Sequence, residues 1–150
     1  MGTSNPGEAL ILPCGACFAR NRVARNRLVD GPICSRCKTP LFGEHPAALD
    51  DSSFGRYVPA AELPVVVDFW AAWCAPCRAM APAFAEAARA HAGRVLFAKV
   101  DTEQAPHTAE HYDIRAIPTM ILFRGDRELA RQSGALSQAQ ISSWLAAALR

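Results

Sequence analysis

From about residue 65 onward the chain alternates two kinds of hydrophobic pattern. Val65-Val66-Val67-Asp68-Phe69-Trp70 is an almost continuous apolar, β-branched run, the signature of a strand buried on both faces. Met80, Phe84, Ala87, Ala88 and His91 then recur at helical spacing, and Gly93 ends the pattern. Residues 95–100 form a second buried run, completing a β-α-β unit. A helical stretch over about 105–112 leads to Thr119-Met120-Ile121-Leu122-Phe123, a third strand. Gly125-Asp126 has the composition of a tight hairpin turn, which predicts an antiparallel partner over 128–132. The last element is a helix with Ser137 and Gln140 as a capping box and Ile141, Trp144, Leu145, Ala148 and Leu149 on its inner face. Parallel crossovers together with one hairpin give an α/β fold, a central mixed β-sheet flanked by helices.

Composition supports a globular chain. With 150 residues, 51% hydrophobic and 20% charged, it can hold one core-forming domain and a small appendage, and it is neither disordered nor collagen-like. The longest apolar stretch, residues 63–72, contains Pro64 and Asp68 and falls far short of the ~20 residues that span a bilayer. Residues 1–9 lack a basic segment, and Leu10-Ile11-Leu12 is too short for a secretory signal core, so a cytoplasmic protein without membrane attachment is expected. The net charge of +2 hides an asymmetry, because residues 1–40 carry six basic and two acidic groups and the remainder ten basic and twelve acidic. The break falls near Thr39-Pro40, which predicts a module over 1–40, a linker over 41–46 and a domain over 47–150.

The six cysteines form three C-x-x-C pairs, Cys14/Cys17, Cys34/Cys37 and Cys74/Cys77. Sixteen residues separate the first two pairs, within the range of tetrahedral four-thiolate sites. Two intervening residues let a tight turn aim both sulfurs at one ion, and Gly15 and Ser35 suit such turns. Four thiolates close the coordination shell, so the metal would be structural, one per chain. Zinc is the expected ion, and iron in a rubredoxin-like site uses the same geometry. Residues 11–40 are too few for an independent hydrophobic core, so the metal is expected to supply the module's folding energy, whereas the later domain has a core large enough to fold alone. Arg20, Arg22, Arg25 and Arg27 are read as solvated charge balancing the thiolates. Phe18 is the one aromatic nearby, a poor basis for nucleic-acid recognition, which stands as the alternative. His45, His91, His107 and His111 show no ligand spacing with the cysteines and are read as surface or helix-end residues.

The third pair, in Trp73-Cys74-Ala75-Pro76-Cys77, sits where the first buried strand gives way to its helix. Unpaired N–H groups and the dipole at a helix N-terminus stabilise a thiolate and lower its pKa. A thiol of pKa about 8.5 is about 3% ionised at pH 7 and one near 7 is half ionised, roughly a fifteenfold gain in nucleophile. Cys74 is expected at the exposed helix end, as the attacking group. Cys77, three residues into the helix, is expected to be more buried and to expel the product.

Asp68-Phe69-Trp70-Ala71-Ala72-Trp73-Cys74-Ala75-Pro76-Cys77-Arg78, Ala81-Pro82, Lys99-Val100-Asp101, Ile114-Arg115-Ala116-Ile117-Pro118-Thr119 and Gly134-Ala135 together resemble the thioredoxin family across residues 47–150. With the paired knuckles in front, the whole chain resembles its bacterial thioredoxin-2 type, which carries an N-terminal zinc-binding extension. The resemblance implies a protein-disulfide reductase in which Cys74 forms the mixed disulfide and Cys77 resolves it. It implies that Asp68 is the buried proton acceptor, its pKa raised by desolvation, and that Lys99 pairs with it. It further implies a cis bond before Pro118 and a substrate platform of Trp73, Ala75, Pro76, Ile117 and Pro118, with Trp70 packed beneath. The implied electron donor is an NADPH-dependent flavoprotein, thioredoxin reductase, and the substrates are disulfide-containing proteins. No redox cofactor is bound, and a monomer is expected. Ala75 departs from the family's usual glycine between the cysteines and Asp113 from its usual glycine before Ile114, while Pro82 should kink its helix as in the family. A thiol-disulfide oxidase or isomerase, and a redox-sensitive binding module, are the competing readings.

Overall fold

In the strand Val65–Trp70 (β4) every side chain except Trp70 is buried, and β4 is the middle of a five-stranded sheet. The computed structural model describes residues 5 and 7–150. Before β4 come β1 (Ala9–Pro13), β2 (Arg20–Ala24), a short 3-10 turn (Arg25–Arg27), β3 (Ala47–Leu49) and α1 (Phe54–Tyr57). After it come α2 (Ala75–Ala90), β5 (Leu96–Asp101), α3 (Pro106–His111), β6 (Thr119–Arg124), β7 (Arg127–Ser133) and α4 (Gln138–Ala148). The sheet order is β3-β5-β4-β6-β7, with β3, β5 and β4 parallel and β6 and β7 antiparallel. The fold is the expected mixed α/β sheet with flanking helices. No helix among the described residues is long and apolar enough to cross a membrane.

The two-residue period of β4 sorts its side chains. Val66 joins Met80, Phe84, Phe97, Met120, Leu122, Ile141 and Leu145 under α2 and α4. Val65, Val67 and Phe69 join Leu49, Phe54, Tyr57, Val100, Ile121 and Phe123 on the other face. Asp68 is in phase with Val66 and therefore belongs to the α2 face. The capping box of α4 forms, with the Gln140 N–H donating to Ser137 Oγ at 3.2 Å and the Ser137 N–H to Gln140 Oε1 at 2.9 Å. The distant Asp51 carboxylate accepts from the His107 and Thr108 N–H groups at the start of α3, at 3.3 and 2.8 Å.

The N-terminal region shares the core of the domain that follows it. Strands β1 and β2 pair as an antiparallel ribbon, and Leu10, Leu12, Val23, Leu28 and Leu41 are buried in the same cluster as Leu49, Tyr57 and Val65. Each leucine so buried is worth about 1.5–3 kcal/mol of transfer free energy, which the domain's own face makes available. The Glu62 N–H donates to the Ile11 carbonyl at 3.0 Å, and the Ile11 N–H to Glu62 Oε1 at 2.7 Å. Phe18 meets Tyr57 edge-on at 6.5 Å, with the Arg56 guanidinium 5.2 Å from the Phe18 ring. A Cβ on Gly15 would lie 2.7 Å from the Ala47 Cβ, so the glycine lets the first cysteine turn rest against β3.

Candidate functional site

Cys74 caps the N-terminus of α2 and is joined to Cys77 in a disulfide, with their Cα atoms 5.3 Å apart. The Cys77 N–H, one of the donors that a helix start leaves free, points at Cys74 Sγ at 3.2 Å. Contrary to the expected contrast in exposure, the two are almost equally buried, at 4% and 2%. Ala71, Ile117 and Trp70 pack around the pair, so position on the helix and not accessibility distinguishes the two cysteines. The Ile117–Pro118 peptide is cis, and the Ile117 carbonyl oxygen lies 3.8 Å from Cys74 Sγ. Trp73 is 67% exposed and its indole N–H donates to Glu103 Oε1 at 2.8 Å, while Ala75 and Pro76 are exposed beside it. Trp73, Ala75, Pro76, Ile117 and Pro118 are thus brought round the dithiol.

Asp68 is buried, and its Oδ1 has no hydrogen-bond partner among the described residues. Burial pushes its pKa up to about 7 against the pull of the Lys99 charge. Lys99 faces Asp68 in register on β5, yet its ammonium sits over the Trp70 ring, 5.1 Å from the centroid. The expected close pairing of Lys99 with the carboxylate is therefore replaced by a cation–π contact, with Asp68 feeling Lys99 through Coulomb attraction alone. Asp68, Trp70, Cys77 and Lys99 border one open cleft of about 570 Å³.

The sulfurs of Cys14, Cys17, Cys34 and Cys37 all lie within 4.8 Å of one another, with Cys14–Cys37 and Cys17–Cys34 both at 3.6 Å. A tetrahedral ion with bonds of about 2.3 Å would space its sulfurs about 3.8 Å apart, so the cluster could hold a metal ion. Two turns of one shape build it. The Cys14 N–H donates to the Ala19 carbonyl and the Phe18 N–H to the Cys14 carbonyl, both at 2.9 Å. The Cys34 N–H donates to the Thr39 carbonyl at 2.8 Å and the Lys38 N–H to the Cys34 carbonyl at 2.9 Å. Phe18 and Lys38, at matching places, have φ of 63° and 68°. Backbone N–H groups of Ala16 and Arg36 donate to Cys14 Sγ and Cys34 Sγ at 3.3 and 3.4 Å. The Cys37 and Arg36 amides and the Asn21 side chain hold the Cys34 thiol down at about 6. For Cys17 the Ala19 amide pulls the pKa down, but burial and the three neighbouring sulfurs outweigh it and raise it to about 11. Four sulfurs so crowded cannot all ionise unless a cation offsets their repulsion, which is the chemistry of a thiolate metal site.

Asn21, which sequence reasoning missed, ties the two turns together. Its Nδ2 donates to the Ala19 carbonyl at 3.2 Å, and its Oδ1 accepts from the Ser35 N–H and hydroxyl at 2.9 and 3.2 Å. A buried asparagine between two exposed arginines in β2 was the available signal. Arg25 and Arg27 approach Glu8 and Asp30, at 3.8 and 2.8 Å, while Arg20 and Arg22 are exposed.

A family model described as Thioredoxin matches residues 45–147. Thioredoxin C-3 of Corynebacterium nephridii is 39% identical over 136 residues, covering 91% of this chain and 93% of that protein. The thioredoxin of Alicyclobacillus acidocaldarius is 42% identical over 102 residues, covering 68% of this chain and 96% of its own. That of Synechocystis sp. is 41% identical over 97 residues, covering 65% and 91%.

Proposed function

The chain belongs to the thioredoxin family and is a thiol-disulfide oxidoreductase, and from that premise we propose that it is a cytoplasmic protein-disulfide reductase of the thioredoxin-2 type. The observation that carries the reductase reading is the Cys74–Cys77 pair at the start of α2, beside cis Pro118, with Cys77 and the buried Asp68 bordering one cleft. In the reduced protein the Cys74 thiolate attacks one sulfur of a substrate disulfide, forming a mixed disulfide and releasing the other sulfur as a thiolate. Cys77 gives its proton to Asp68 and attacks Cys74 Sγ. The Cys74–Cys77 bond forms, the mixed disulfide breaks, and the second substrate sulfur departs and takes up a proton. Two electrons have moved from the protein dithiol to the substrate. Thioredoxin reductase, drawing on NADPH, returns them. Trp73, Ala75, Pro76, Ile117 and Pro118 form the platform that receives the substrate chain, and the Lys99 charge moderates the rise in the Asp68 pKa.

In this reading residues 1–40 are a zinc-binding module, 41–46 its linker and 47–150 the thioredoxin domain. Cys14, Cys17, Cys34 and Cys37 would hold one zinc ion, which ties the two cysteine turns together when bound. The alignment with Thioredoxin C-3 is longer than the 103 residues of the family match, so it must include part of the N-terminal region. Metal-holding thiols also suit a reducing compartment. The test is reduction of insulin by the full chain with NADPH and a bacterial thioredoxin reductase. Steady NADPH consumption that depends on this chain supports the reading. Turnover only in the direction of dithiol oxidation would replace it with an oxidase.

A further inference from the structure

The cleft that borders the buried Asp68 is also lined by the linker. Among its lining residues Asp68 and Cys77 are buried whereas Glu44 and His45 are exposed, so the linker stands at its mouth. The family match begins at residue 45, so Glu44 belongs to the segment that attaches the N-terminal module. A second cavity of about 600 Å³ is also lined by Glu44, His45 and Pro46. This strap runs between the buried Leu41 and Ala47, and its middle borders both cavities. What holds its middle is an ion pair from Glu44 to Arg89 on α2, with Arg89 itself braced by Glu86 at 3.1 Å.

We propose that this cleft is the route by which Asp68 exchanges its proton with water, and that Glu44, latched to Arg89, is the positioning residue that sets its outer wall. The inference rests on the proposed role of Asp68 as proton acceptor for Cys77. A carboxyl that takes the Cys77 proton in one half of the cycle must release it before it can accept another, and a buried group can do so only along a water-accessible path. The charged and titratable groups facing Asp68 are Lys99 from β5, Cys77 and Arg78 from α2, and Glu44 and His45 from the linker; its register neighbour on β6 is the apolar Met120. Glu44 is therefore the negative group at the mouth of a cleft whose floor is itself negative when ionised. The attachment of the module, through the strap, shapes both the access and the field of the proton acceptor.

The experiment follows the Asp68 carboxyl by carbon-13 NMR across pH in the full chain, alongside single-turnover resolution of a preformed Cys74 mixed disulfide. Glu44→Gln removes the negative charge at the mouth and should lower the Asp68 midpoint, whereas Arg89→Ala removes the positive partner, leaves Glu44 unpaired and should raise it. Each shift should be roughly 0.3–1 pH unit, the scale of one charge acting across a partly solvated gap. The pH profile of resolution should move with it, while the rate of Cys74 attack stays at the wild-type value. Arg89→Lys should restore the wild-type midpoint. Glu110→Gln removes an equal charge from α3, on the opposite face of the sheet, and should leave the midpoint unmoved. Unchanged midpoints in Glu44→Gln and Arg89→Ala, or an equal shift in Glu110→Gln, would overturn the proposal. Asp68→Asn separates the two levels: if its resolution profile equals wild type, the acceptor role fails, and the route proposal fails with it, whatever the midpoints do.

Discussion

The cysteine cluster and the dithiol start from the same local geometry. In both, the N–H of the second cysteine of a C-x-x-C pair points at the sulfur of the first, at 3.5 Å for Cys17 to Cys14 and 3.2 Å for Cys77 to Cys74. They diverge at the next residue. After Cys17 the chain turns back through Phe18 at φ 63°, whereas after Cys77 it continues as α2. The reversal returns the chain toward a second, equivalent turn and so gathers four sulfurs. The helix carries the chain away, leaving two sulfurs facing each other beneath a positive dipole end. The C-x-x-C spacing supplies the sulfur pair, and the backbone that follows it decides between ligand and redox couple.

The sharpest way to test that division is to remove one cysteine from each region. Cys74→Ser should abolish disulfide reduction and leave metal content at about one ion per chain. Cys34→Ser should lose the ion, by elemental analysis, and retain measurable reduction. Loss of metal in Cys74→Ser would merge the two regions. Asp68 gives the next largest effect. Its folded pKa of about 7 is above the ordinary carboxylate value, so the folded state binds the extra proton, and stability is lost as pH rises from about 4 through about 7. Asp68→Asn should remove that loss, raising stability above pH 7 by on the order of 2–4 kcal/mol while slowing resolution. Denaturant melts at pH 5 and pH 8 check it; an equal mutational effect at both would deny the raised pKa.

Gly15→Ala probes the contact between the regions. Its new methyl would press on Ala47, and an overpacked contact of this kind costs about 1–3 kcal/mol, visible as a lower thermal midpoint with insulin reduction preserved. The smallest effect is expected from Asn21→Leu, which cuts the ties between the two turns without touching a ligand. Competition with a chelator should show roughly tenfold weaker metal retention and an unchanged dithiol reactivity. Unaltered retention would make Asn21 an ordinary buried amide.

The central strands and long helices were legible because their patterns are long. Val65–Trp70 is apolar at every position but Asp68, and Met80, Phe84 and Ala87 hold a helical period over several turns. The cysteine pairs were legible by spacing alone. The ribbon of β1 and β2 was not, because β2 reads Arg-Asn-Arg-Val-Ala and its inward positions are an amide and a single valine. Elements of three and four residues, β3 and α1, carry too short a period to register. The sharing of Leu10, Leu12 and Leu41 with the domain's core is a tertiary fact with no local signature. The same holds for Lys99, whose choice of the Trp70 face over the Asp68 carboxylate depends on packing across two strands. The near-equal burial of Cys74 and Cys77 arises from Ile117, forty residues away in sequence, closing over the helix start.

The two matching turns of the cysteine cluster have unequal freedom to evolve. A non-glycine residue in the left-handed region costs about 1–2 kcal/mol, so both Phe18 and Lys38 occupy positions where glycine or asparagine would sit more easily. At Lys38 the side chain is exposed and donates to the Ser35 carbonyl, at 3.0 Å, so exchange for glycine relieves the backbone with little lost. At Phe18 the same exchange forfeits the ring that Tyr57 and Arg56 hold. Sequence drift among descendants of this chain should therefore concentrate on the solvent-facing turn, while the turn that leans on the domain keeps its aromatic residue in spite of the backbone it strains.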